Sequence, residues 1–147
     1  MPQSFKEAVL TIREISDCYS PGLRALGANS TKIEVSNTRK LNGSVFLENC
    51  LQSRFSGENL WDYCFGYSDR AWFAEVHPAQ TSEVETMIKK LNWLKKWLKT
   101  NGKPLNEIKA EKAFIWIASG KTAILPNSRQ HRKAIESGLK PISKLML

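Results

Sequence analysis

The chain predicts an α/β fold, a mixed β-sheet flanked by helices, formed as one domain over residues 1–147. Three stretches predict it. Trp61 to Pro78 reads W-D-Y-C-F-G-Y-S-D-R-A-W-F-A-E-V-H-P. Two β-prone aromatic runs flank the short polar turn Ser68-Asp69, which is a hairpin signal. Residues 83–100 carry apolar side chains at helical spacing. Lys112 to Ala118, K-A-F-I-W-I-A, is apolar on both faces, as in a central strand buried on both sides. Strand, helix and strand in that order predict a right-handed crossover between parallel strands.

The length of 147 residues is enough to bury a real core. Hydrophobic residues at 41% and charged residues at 24% place the chain among ordinary globular proteins. Its 22 Lys and Arg against 14 Asp and Glu give a net charge of +8. That balance favours a polyanionic partner, most simply nucleic acid. The start, Met-Pro-Gln-Ser-Phe-Lys-Glu, is polar and lacks the apolar core of a secretory signal. The longest apolar run, Ala113 to Ala118, is too short to span a bilayer. A cytoplasmic location without membrane association is therefore expected. Cys18, Cys50 and Cys64 are isolated and odd in number, so neither a zinc pair nor a disulfide framework is expected. Each reads as a small buried hydrophobe in a reducing compartment.

In chain order, Ser4 and Glu7 form a capping box that starts a helix over residues 4–17. Phe5, Ala8, Val9, Ile12 and Ile15 are its buried stripe. Ser20-Pro21-Gly22 breaks it. Lys32 to Val35 reads as a short strand, and Asn37 to Lys40 as a basic loop. Ser44 can cap a helix from Val45 to about Arg54, with Glu48 at the edge of its apolar side; a strand over residues 44–50 is the alternative. Beyond the hairpin, Ser82 and Glu85 form a second capping box. Val84, Met87, Ile88, Leu91, Leu94 and Leu98 face the core, and Asn101-Gly102 with Pro104 ends that helix. Its other side carries Lys89, Lys90, Trp93, Lys96 and Trp97, which suit nucleic-acid contact or simple packing of indoles under lysine stems. Asn127 or Ser128 caps a helix through Glu136 that carries Arg129 and Arg132. Residues 140–147 can add an edge strand.

The hairpin register brings chemistry together. With Tyr67 opposite Arg70, Phe65 meets Trp72, Tyr63 meets Ala74 and Asp62 meets Glu75. Alternation puts His77 on the face of Glu75. Two carboxylates opposite each other destabilise a sheet unless something holds them, and a hard divalent cation is one such thing. A solvated outer face is the plainer alternative.

A helix with Glu, a strand with Asp, a strand with Glu-x-His, a long helix and a buried strand follow one another over residues 44–118. This order resembles the PD-(D/E)XK, or restriction-endonuclease-like, superfamily. The resemblance implies an αβββαβ-type core and a metal-dependent phosphodiester hydrolase acting on nucleic acid. It makes Asp62 and Glu75 the ligands of Mg²⁺ or Mn²⁺, with Glu48 as the helix Glu. His77 stands where the family has Lys, and Trp61 where it has Pro. In some members the lysine comes from the next helix, which here offers Lys89 or Lys90. Lys89, Lys90, Trp93, Lys96, Arg129 and Arg132 would then hold the nucleic acid, and a homodimer is possible. Three readings follow: an active nuclease, a degenerate relative that binds nucleic acid or a protein without cleaving, and a scaffold whose charge is incidental.

Overall fold

A computed structural model describes residues 3–147. Helix α1 spans Phe5–Thr11, β1 Ile33–Glu34, β2 Leu41–Phe46 and α2 Leu47–Leu51. Strands β3, Tyr63–Tyr67, and β4, Arg70–His77, form the hairpin. Helices α3, Val84–Lys99, and α4, Lys103–Glu107, lead into β5, Lys109–Ala118. Helix α5, Arg129–Glu136, and β6, Leu145–Met146, complete the chain.

The main sheet has the order β2-β3-β4-β5. Strands β2, β3 and β4 are an antiparallel meander, and β5 returns parallel to β4 after α3 and α4. The architecture is therefore mixed α/β, a four-stranded mixed sheet flanked by helices. The hairpin pairs Tyr63 with Ala74, Phe65 with Trp72 and Tyr67 with Arg70, the expected register. Its turn residues Ser68 and Asp69 have φ of 52° and 55°, a type I′ conformation that matches strand twist. Neither is glycine, so side chains must hold the turn. Asp69 Oδ1 accepts from Phe5 N–H at 3.1 Å, and Asn42 Oδ1 accepts from Asp69 N–H at 2.7 Å. The same Asp69 contact caps the first orphan donor of α1, beside the expected Ser4 cap on Glu7 N–H. Gly66 lets α1 lie close, because a Cβ there would meet the Phe5 ring at 2.4 Å.

Several expectations are corrected. Helix α1 stops at Thr11; Ile12 and Ile15 remain buried, but in turns. Residues 41–46 are a strand, and only Leu47–Leu51 is helical. Ser44 is buried in β2 and caps nothing; its Oγ accepts from Ala25 N–H at 3.0 Å. Pairing with Phe65 and Ser20 in the sheet outcompetes a local helical cap. Ser82 does not cap α3 either, because a 3₁₀ turn over Thr81–Glu83 leads into the helix. Pro104 does not merely end a helix but opens α4. Strand β5 lies at the sheet edge rather than its centre, covered only near its end by Ile142, which bonds Trp116 and Ala118. The tail strand β6 pairs with β1 in a separate two-stranded parallel sheet.

Cys18 and Cys50 form a disulfide, with Cα atoms 6.3 Å apart, while Cys64 is free and buried. The two are 32 residues apart, and only folding brings them together. The expectation of three free thiols is overturned, and with it the argument from cysteines for a reducing compartment. Among the described residues no helix is long and apolar enough to cross a membrane.

Candidate functional site

Asp62 and Glu75 lie where the β3–β4 ladder would continue, and their side chains take over its hydrogen bonds. Asp62 N–H donates to Glu75 Oε1 at 2.9 Å, and Val76 N–H donates to Asp62 Oδ2 at 3.0 Å. This reciprocal clasp fixes both carboxyls at the end of the hairpin. Glu75 is 1% exposed. A buried carboxylate needs a cation and hydrogen bonds, and it has both. Lys90 Nζ stands 2.8 Å from its Oε2, and His77 Nδ1 stands 3.4 Å from the same oxygen.

Glu48 joins from the other side. Its N–H donates to the Asp62 carbonyl at 3.3 Å, which docks α2 onto the start of β3. Its half-exposed carboxylate is 3.8 Å from Lys90 Nζ and adds slightly to the upward push on the Asp62 carboxyl. His77 Nε2 is 2.7 Å from Glu83 Oε1, so the imidazole bridges two carboxyls.

The electrostatics follow from this crowding. Burial, then the charge of Glu75, push the Asp62 carboxyl up to about 8, against the pull of Lys90 and of the Val76 N–H. At neutral pH Asp62 keeps its proton unless a further cation arrives. The hydrogen bond to Glu75 raises the His77 imidazole; burial opposes this, and Glu83 adds to the rise. Burial pulls the Lys90 ammonium down, yet Glu75, Asp62 and Glu48 together hold it above its ordinary value. It stays charged.

The sequence-derived residues divide into two sets. Asp62, Glu75 and His77 converge as the register implied, and Glu48, which entered only through the resemblance, lies beside them. The helix lysine that reaches the cluster is Lys90, while Lys89 is exposed and lies on the side of Glu85. Helical spacing carries this signal, since Lys90 sits three after buried Met87 and four before buried Leu94. Helical side chains lean toward the helix N-terminus, a direction that suits the reach of Lys90 Nζ to Glu75. Glu83 was missed; it lies in the turn before α3, six residues past His77, where no periodic pattern marks it. Lys96, Arg129 and Arg132 are exposed, and none of them touches the cluster. Trp93 donates from Nε1 to Glu58 Oε1 at 3.1 Å and stacks on buried Trp97 at 6.0 Å, so one face of the indole serves packing.

Among the described residues, no group of three or more His, Cys, Asp and Glu is arranged as a ready metal cage. The reason is visible: both Glu75 oxygens already accept, one from Asp62 N–H and one from Lys90. The donor chemistry still suits a hard cation. Glu48, Asp62, Glu75 and Glu83 stand against only Lys90 and His77, and oxygen-ligated Mg²⁺ needs only one or two carboxylates beside water and phosphate. No family model matches the chain, and no curated protein or solved structure matches it.

Proposed function

We propose that the chain is a divalent-metal-dependent phosphodiester hydrolase acting on nucleic acid, on a core of the restriction-endonuclease-like kind. One observation carries the reading. Lys90 reaches from α3 onto the buried Glu75, whose other oxygen is clasped by Asp62. The resemblance asks for Asp, Glu and Lys around one phosphate, and this arrangement supplies all three, with the lysine from the helix. The meander followed by a parallel strand supports the same reading.

When bound, Mg²⁺ or Mn²⁺ would neutralise the phosphate and acidify an attacking water. The residues do the rest. Asp62 and Glu48 would hold the cation, with Asp62 giving up its proton; Glu75, the second ligand the resemblance implies, has its oxygens engaged by Asp62 N–H and Lys90. Glu75 keeps Lys90 charged and in place, and Lys90 holds the nucleophile or a phosphate oxygen. His77, fixed by Glu83, orients the cluster from the strand position the family gives to lysine. Exposed Lys89, Lys96, Arg129 and Arg132 hold the backbone of the nucleic acid, at a salt-dependent affinity.

A degenerate relative that binds without cleaving is the second reading. The mutual satisfaction of Glu75 and Lys90 favours it, because the pair is complete without a metal.

Thermal unfolding with Mg²⁺ or Mn²⁺ separates the two. A cation at 100 times its Kd should stabilise the fold by about 2.7 kcal/mol. Asp62→Asn should abolish that rise along with metal-dependent cleavage of an oligonucleotide. The metal-free protein should lose stability as pH rises from about 4 to about 8. The folded state keeps the Asp62 proton across that window while the unfolded chain has released it, so raising pH favours unfolding. Asp62→Asn should flatten this slope. Absence of any metal effect on stability or cleavage leaves the binding reading standing.

A further inference from the structure

Beside the carboxylate cluster lies a cleft of about 260 Å³, lined by Glu48, Gln52, Phe55, Glu58, Asn59 and Lys90. Its outer wall is the loop from Gln52 to Asn59, and this loop is built rather than slack. Glu58 Oε1 accepts from Trp93 Nε1, and the Phe55 ring meets Trp93 edge-on at 5.7 Å. The lining has two features that oppose a phosphate. Two carboxylates face it, and its single ammonium is already bound to Glu75. An anion is therefore disfavoured, and a hydrogen-bond donor is favoured. The volume lies just under the roughly 300 Å³ at which pockets for drug-sized ligands begin, so a single ring system fits. Two amides, two carboxylates and an aromatic face are the partners of a nucleobase that has left its stack.

The carboxylates choose among bases. A carboxylate only accepts hydrogen bonds, and Glu58 keeps one oxygen uncommitted by Trp93. Guanine alone presents two adjacent donors, N1–H and the 2-amino group, on its pairing edge. Adenine and cytosine place a ring acceptor beside their amino group, and uracil flanks its one donor with two carbonyls. That edge is available only in an unpaired strand. We propose that the cleft between α2, the loop 52–59 and α3 is a nucleobase subsite that selects an unpaired guanine next to the phosphodiester engaged by the cluster. This rests on the proposed function for its biological meaning, but its test does not use metal or cleavage.

The four neutral nucleosides guanosine, adenosine, cytidine and uridine are titrated separately into the intact protein while tryptophan emission is followed. Trp93 reports directly, because its Nε1–H is bound to the wall residue. Guanosine should give a saturable change, with the other three at least about tenfold weaker, the discrimination expected of one hydrogen bond to a charged group. Glu58→Gln keeps an acceptor for Trp93 but turns a donor toward guanine, and should lose the guanosine preference. Asn59→Ala, at the neighbouring lining position, should weaken guanosine binding, which keeps the proposal testable if the first variant unfolds. Equal response to all four nucleosides, or saturable binding by none, overturns the subsite. Selective guanosine binding without metal-dependent cleavage sustains the subsite while the nuclease reading falls.

Discussion

The hairpin and the stretch 41–60 before it deliver carboxylates to the same cluster by opposite means. The hairpin holds itself. Its five pairs run from Tyr63–Ala74 to Tyr67–Arg70, and Asp62 and Glu75 extend them with side-chain bonds. The stretch 41–60 is held by others. Ser44 pairs with Ser20, Cys50 is tied to Cys18, the Glu48 N–H rests on Asp62 and Glu58 is anchored by Trp93. The hairpin places Glu75 as a buried, rigid group. The stretch places Glu48 as a half-exposed one, on a five-residue helix whose position depends on distant partners. A metal site built from both would have one fixed wall and one adjustable wall.

Removing the cation at the fixed wall should have the largest effect. Lys90→Met leaves Glu75 buried beside Asp62 without its ammonium. Breaking a buried pair from one side typically costs about 3–5 kcal/mol, and Lys90 is only 14% exposed, so little solvent screening discounts this. Chemical denaturation should show the loss. Adding Glu75→Leu should restore most of it, since the uncompensated charge is then gone. If Lys90→Met is neutral, Glu75 does not depend on that ammonium and the fixed wall is fixed by something else.

The adjustable wall should respond to its staple. Cys18→Ser opens a loop of 32 residues, for which the chain-entropy relation gives up to about 4 kcal/mol. The loss should be accompanied by faster hydrogen exchange in residues 47–51, with the hairpin amides protected as before. The Cys50 sulfur also lies 3.4 Å from the Glu14 carbonyl, where a free thiol can donate and a disulfide cannot. Part of the loss is offset by that bond in the variant. Equal loosening of hairpin and α2 would mean that the two regions are not separable.

How much was legible in the sequence follows the same division. Alternation around Ser68-Asp69 contained the hairpin register, and through it the meeting of Asp62, Glu75 and His77. Strand periodicity is local information. Residues 41–50 carried a helix-compatible pattern, and the Ser44 hydroxyl was read as a cap because nothing nearby showed that Ala25 would claim it. Cys18 and Cys50 looked isolated because their pairing depends on how the chain between them, a sequence separation of 32, folds back. Glu83 and Glu58 act through partners far along the chain, and no spacing announces either. Lys90 was legible in part: the helix was clear, and the edge of its buried stripe distinguishes Lys90 from Lys89.

The smallest effect should come from the hairpin turn, and it separates the local hold from the tertiary one most finely. Asp69 carries two burdens at φ 55°, a left-handed backbone and the acceptor for Phe5 N–H. Asp69→Gly relieves the first and abandons the second. Asp69→Ala abandons the acceptor and keeps the strain. Asp69→Asn keeps an acceptor oxygen and tolerates the backbone. Losing a helix-terminal acceptor costs about 1 kcal/mol, and alanine in a left-handed site adds about 1 kcal/mol more. The order of stability should therefore be Asp69→Asn, then Asp69→Gly, then Asp69→Ala, with the whole spread about 2 kcal/mol. Denaturant midpoints at constant slope would measure it. If glycine exceeds asparagine, backbone strain outweighs the bond to α1, and the hairpin is more self-contained than its contacts imply. If glycine falls to the level of alanine, the bond to α1 dominates, and even the most local element of the fold is partly held from outside.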